Sequence, residues 1–152
     1  MASGYRRSVK RRRNAECLSD SAALYRATIL SAGLILFAHG ARDERWAEPF
    51  ERLRDKVAAA RPEAYVRLAF LEIMQPDLGA AVGELVALGC RAVQIAPIFL
   101  GQGGHVRRDL PELVRAVAAR HPGIAITLAQ VVGEDERVLD AIAAVCIADF
   151  PT

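Results

Sequence analysis

From residue 33 onward the chain alternates short apolar runs with longer amphipathic stretches, four times in succession. The runs cover residues 34–39, 65–71, 92–98 and 124–128. They are short for helices and largely apolar at consecutive positions, the pattern of strands covered on both faces. The stretches between them carry helical spacing. Trp46, Phe50, Leu53, Val57 and Ala60 form one stripe, which predicts a helix over 44–61 that stops before Pro62. Leu78, Val82, Leu85 and Val86 form the next, in a helix whose first turn holds Pro76 and whose left-handed cap is Gly89. The third stripe is Val106, Leu110, Leu113, Val114 and Val117. Pro111 has no N–H to give, so that helix is expected to start near Asp109, with Glu112 at capping-box spacing. The last helix, over 134–148, is expected to turn Val138, Ile142, Val145 and Cys146 inward. Strict strand–helix alternation predicts an α/β fold: a four-stranded parallel sheet, right-handed crossovers and helices on both faces. So small a sheet leaves an edge or face for a second copy to cover.

A chain of 152 residues with 53% hydrophobic content is enough for one domain with a real core. Its charge is uneven. Residues 1–30 hold seven Lys/Arg against two acids, so the net +2 of the whole chain conceals an acidic body. The expected division is a basic, flexible extension over 1–30, with a short helical piece near 20–27, and a folded domain over 31–150. An electrostatic contact with nucleic acid is conceivable for such an arm, but basic arms are weakly specific and a solvated extension is the simpler reading. No apolar segment after Arg13 suits a signal peptide, and none approaches the roughly 20 residues that cross a bilayer. Cys17, Cys90 and Cys146 are too scattered for a disulfide framework. Cys90 and Cys146 read as small core residues, and the expected compartment is the cytoplasm.

Three ligand-type side chains fall where strands end: His39 after the first, Glu72 after the second, and His105 beyond the third and its loop Gly101-Gln102-Gly103-Gly104. In a parallel sheet all those ends share one edge. If the strand order is 2-1-3-4, the chain reverses direction between strands one and three, and ligands bind in the crevice there. A single histidine at a strand end is more often structural, whereas two in equivalent places can share a transition metal. Glu72 is equally well read as a carboxylate at a helix start. The glycine loop lacks the lysine and hydroxyl of a phosphate loop, so Gly103 and Gly104 are read as making room for a flat ligand. Arg42, Arg45, Arg107 and Arg108 flank the histidines; each either grips a carboxylate or is simply solvated. His121, before Pro122-Gly123, has no special role.

Phe37-Ala38-His39-Gly40-Ala41-Arg42-Asp43 resembles the HGSRD-type opening of the CbiX-like sirohydrochlorin chelatases. Phe70-Leu71-Glu72 through Pro76-Asp77-Leu78 is similar to that family's second motif. Pro97-Ile98-Phe99-Leu100 through Gly103-Gly104-His105-Val106-Arg107-Arg108-Asp109-Leu110-Pro111 is similar to its third. The resemblance spans residues 33–150, and Ala41 stands where serine is usual. It implies a chelatase-like, flavodoxin-like fold of strand order 2-1-3-4. It also implies insertion of a divalent metal into sirohydrochlorin, for cobalamin or siroheme synthesis. His39 and His105 take the metal-handling positions and Glu72 that of a nearby acid. Co²⁺ is favoured, with Fe²⁺ or Ni²⁺ as alternatives on the same substrate; ligand affinity alone does not choose among them. No organic cofactor is implied. Short members carry one of the two halves found in longer relatives, which implies a homodimer. The rival readings are a non-catalytic tetrapyrrole or metal carrier and a flavodoxin-like nucleotide binder or signalling module. The missing phosphate loop, and the absence of an aspartate at the end of strand three, count against the module.

Overall fold

The computed structural model describes residues 32–150 apart from 102 and 149, and for His105 the backbone alone. The basic arm, its expected helical piece and Cys17 lie outside the described residues. Four parallel strands, β1 (Ala32–Ala38), β2 (Tyr65–Phe70), β3 (Ala92–Pro97) and β4 (Ala125–Leu128), form one sheet in the order β2-β1-β3-β4. Leu36 pairs with Leu68 on one side and Ala96 on the other. The helices are α1 (Glu48–Ala60), α2 (Leu78–Ala87), α3 (Gly104–Arg120) and α4 (Glu136–Ala148). No described helix is long and apolar enough to cross a membrane.

The sheet sorts its side chains by strand alternation. Ile35, Phe37, Ala69, Val93 and Ile95 face α2 and α3, whose Leu78, Val82, Leu85, Leu110, Val114 and Val117 complete the larger core. Leu36, Ala38, Val66, Leu68 and Phe70 face the other way, onto Trp46, Phe50, Leu53 and Val57. That second layer stops half-way across the sheet. Ala92 and Gln94 of β3 stand beside Ala125 and Thr127 of β4, and all four are exposed.

Local rules account for most boundaries. Pro49 lies in the first turn of α1, and the predicted start at 44 is a separate 3-10 turn, Glu44–Ala47. Ala60 is exposed rather than part of the buried stripe. Asp77 caps α2, its carboxylate accepting from the Ala80 N–H at 2.8 Å, so Pro76 sits just outside the first turn; the Gln75–Pro76 bond is cis. Gly89 has the positive φ (+86°) expected of it.

Two further expectations are overturned. First, α3 begins at Gly104, not near Asp109, and carries Pro111 inside it. Pro111 is exposed and beside buried Leu110, so the missing N–H falls on the solvent side, where an unmatched carbonyl costs least, while the apolar stripe holds the helix together. Asp109 and Glu112 therefore lie within the helix and cap nothing. Second, α4 does not bury its stripe. Val138 is half-buried, Leu139 and Ile142 are 41% and 38% exposed, Val145 is 74% exposed, and Cys146 is exposed. Cys146 is thus not a core residue, whereas Cys90 is buried, and burial pushes its thiol pKa up.

Candidate active site

The exits of β1, β2 and β3 are fastened to one another through the backbone. The Leu71 N–H donates to the Ala38 carbonyl at 2.8 Å and the Glu72 N–H to the His39 carbonyl at 3.0 Å. From the other side the Ile98 N–H donates to the Phe37 carbonyl at 2.7 Å. Gly40 makes the first of these junctions possible: its φ is +95°, and a methyl there would run into the Glu72 carbonyl. His39 and Glu72 are therefore neighbours because their backbones touch, and Glu72 is exposed.

His39 is half-buried, and its ring lies against that of Phe99, with centroids 4.3 Å apart and planes tilted by 35°. Phe99 is 3% exposed and meets Phe37 edge-on at 6.1 Å. The imidazole thus has one face against the core and cannot swing freely. Phe99 is held in turn. The Gly133 N–H donates to its carbonyl at 2.9 Å, and a methyl on Gly133 would strike the Leu100 carbonyl. Neither Phe99 nor Gly133 is among the site residues expected from the sequence. An aromatic at a strand exit in a chain with 6% aromatics was a usable signal for the first. Nothing local marks the second, because its constraint comes from a loop more than thirty residues away in sequence.

His105 is the second residue of α3, following the loop that leaves β3, and the Arg107 N–H donates to the Gly103 carbonyl at 3.1 Å. The positive end of this helix opens at the rim, favouring anionic groups. A Cβ added to Gly103 or Gly104 would meet no described atom within 4 Å, so space lies open beside both. Arg42 is exposed and has no hydrogen bond or ion pair among the described residues. It lines, with Ile73, Met74 and Phe70, an open cleft of about 860 Å³ along the outer edge of β2. Arg45 is committed elsewhere: it grips Asp43 through two nitrogens at 3.1 and 2.8 Å, and this guanidinium holds the Asp43 carboxyl below its usual range. Arg107 lies 3.9 Å from Glu134, and Arg108 is 3.4 Å from Asp109. Among the described residues no cluster of three or more His, Cys, Asp or Glu side chains is arranged to hold a metal. His121 caps the far end of α3, with its N–H donating to the Ala118 carbonyl at 3.0 Å, away from this edge.

Residues 33–147 match the CbiX family model. The chain belongs to the CbiX family. This CbiX protein is 26% identical over 110 residues to the sirohydrochlorin cobaltochelatase of Sulfolobus acidocaldarius, an alignment covering 72% of the chain and 85% of that relative. A crystal structure of a putative cobalamin (vitamin B12) biosynthesis CbiX protein from Marinobacter aquaeolei superimposes with a TM-score of 0.70 at 32% identity, over 78% of the chain and 96% of that one. The sirohydrochlorin chelatase SirB from Bacillus subtilis, in complex with cobalt, superimposes with a TM-score of 0.65 over 79% of the chain at 24% identity, a likeness of fold. The alignment takes in only 51% of SirB, so the CbiX chain spans about half of that longer relative.

Proposed function

We propose that this CbiX protein inserts a divalent metal into sirohydrochlorin, releasing the two pyrrole protons as the metal enters. The observation that carries the reading is the convergence, at one sheet edge, of His39 and Glu72, whose backbones are hydrogen-bonded, and the first turn of α3 that bears His105. Neutral imidazoles suit first-row metals, and two of them hold an ion while leaving sites for macrocycle nitrogens to take over from water. In this reading His39 and His105 present the metal, and Glu72, exposed beside His39, accepts a proton. Arg42, which has no ion pair among the described residues, and the N-terminus of α3 offer the charge that a polycarboxylate needs, as do Arg107, Arg108 and, with its ion pair opened, Arg45. Gly103 and Gly104 leave room for a flat ring. The metal changes no oxidation state, so no organic cofactor is required. The cobaltochelatase named among the relatives supports Co²⁺ as the physiological ion.

The domain is assigned to residues 31–150, as the match over 33–147 supports, with residues 1–30 a separate extension. A homodimer supplies the half that SirB has in addition. Its seam is the exposed flank of α4, with Leu139, Ile142, Val145 and Ile147, together with the open face of β3 and β4. The free thiols of Cys90 and Cys146 fit a reducing cytoplasm.

The test is metallation by purified full-length protein with sirohydrochlorin and Co²⁺, Fe²⁺ or Ni²⁺ in parallel, followed by absorbance. Insertion by the wild type, with kcat/KM reduced about a hundredfold or more in His39→Ala and in His105→Ala, is the expected result. Wild-type rates in both variants would remove the histidines from the mechanism. Binding without insertion would make the protein a carrier.

A further inference from the structure

Beside Glu72 the backbone does something unusual. The Met74 N–H donates to the Glu72 carbonyl at 2.7 Å, closing a three-residue turn around Ile73, whose φ is +67°. Positive φ is costly for any residue with a Cβ and most of all for a β-branched one. The turn also leaves the isoleucine 64% exposed, so no burial compensates the strain. Strain retained without a packing reason is a mark of functional positions.

A second residue at this rim shares the exposure. Leu100, in the loop leaving β3, is 67% exposed, although Phe99 beside it is buried and Gly133 pins the loop from below. The sheet order sets the geometry. Ile73 follows β2, His39 follows β1 and Leu100 follows β3, and these strands lie side by side with β1 in the middle. The two loops are thus separated at their bases by two strand spacings, about 10 Å. His39 thus follows the strand that lies between the two whose exits carry these exposed aliphatic residues.

We propose that Ile73 and Leu100 are macrocycle-binding residues, an apolar pair that brackets the tetrapyrrole ring so that its centre lies over His39. The inference rests on the reading of the site as a sirohydrochlorin site and names residues outside the metal-handling group. A tetrapyrrole is apolar across its ring and anionic at its rim. The arrangement complements it: Ile73 shares its cleft with Arg42, a cation with no ion pair among the described residues, and Leu100 lies in the loop leading to the α3 N-terminus.

The experiment is equilibrium titration of the full-length protein with metal-free sirohydrochlorin, with Co²⁺ binding measured separately by dialysis. Ile73→Asn suits the positive φ better than isoleucine does, so it is expected to fold at least as well as wild type. Ile73→Asn and Leu100→Ser should each weaken sirohydrochlorin binding about tenfold. Co²⁺ affinity should stay within twofold of wild type. Leu88→Ser, which alters an exposed leucine at the end of α2 away from the rim, should change neither. Unchanged sirohydrochlorin binding in both rim variants would overturn the proposal, as would an equal loss of Co²⁺ affinity, which would mark a loop disturbance. Wild-type protein that binds no sirohydrochlorin would sink the functional reading and this proposal together, an outcome distinct from wild-type binding that the variants leave intact.

Discussion

The β2–β1 half of the sheet and the β3–β4 half are built from the same alternation but finished differently. Over β1 and β2 both faces are closed: α1 packs on one, α2 and α3 on the other. Over β3 and β4 only the α3 side is closed among the described residues, and α4, expected to turn its stripe inward, has that apolar flank exposed. A parallel sheet is ordinarily buried on both faces, so the open half is a surface to be covered rather than a finished exterior. The complete half anchors the His39 side of the rim, and the incomplete half lies where a second copy is proposed to dock.

The contrast breaks most readily at the core. Phe37→Ala, in the finished half, should lower unfolding free energy by about 3–5 kcal/mol by denaturant titration. Val145→Ala on α4 should change it by no more than about 0.5 kcal/mol in protein dilute enough to dissociate the proposed dimer. Equal effects would mean that α4 is as integral to the fold as β1. Next in size is Gly40→Ala. It forces a methyl toward the Glu72 carbonyl at a φ of +95° and should cost about 1–3 kcal/mol, with metallation falling more than stability accounts for. Gly133→Ala is the matching test in the other half, displacing Leu100 and the loop ahead of His105. If it spares metallation, that loop does not need its anchor. Val145→Asp sharpens the comparison without touching the core. Sedimentation should show dimer for wild type and monomer for the variant, with each protomer's helical signal retained; a monomeric wild type would remove the seam.

The smallest effect concerns the start of α4. Asp135 accepts from the Arg137 backbone at 2.9 Å and from its guanidinium at 2.9 and 2.5 Å, which lowers its pKa to about 2. A carboxylate depressed from 3.8 contributes stability that is full above about pH 4 and lost as pH falls through about 2. The Arg137 amide resonance should report that loss in acid, and Asp135→Asn should abolish the titration. Because the pair is exposed, the global melting temperature should hardly move.

Much of the fold was legible from residue order. Strand positions, the α1 stripe with Trp46 and Phe50, and the cap at Gly89 follow from neighbours a few residues apart, whose periodicity and backbone preferences are local properties. Proline misled the reading of α3 for the converse reason: a helix-breaking rule at Pro111 was outweighed by the burial of Leu110, Val114 and Val117, which only the packed sheet supplies. The positions of His39, Glu72 and the His105 backbone at one edge were also legible, since parallel strands place all their ends together.

What the residue order determined, then, is an alternating chain that closes into a parallel sheet with its motif residues on one rim, because apolar periodicity and crossover geometry leave few other ways to bury those runs. Only the tertiary structure decided that the His39 ring rests on Phe99, that the Glu72 carbonyl passes close to Gly40, that Gly133 holds the Leu100 loop, and that α4 is uncovered by the described residues. Each of these is a close approach, or a missing one, between segments distant in sequence. Its sign depends on distances of tenths of an ångström that no local pattern encodes.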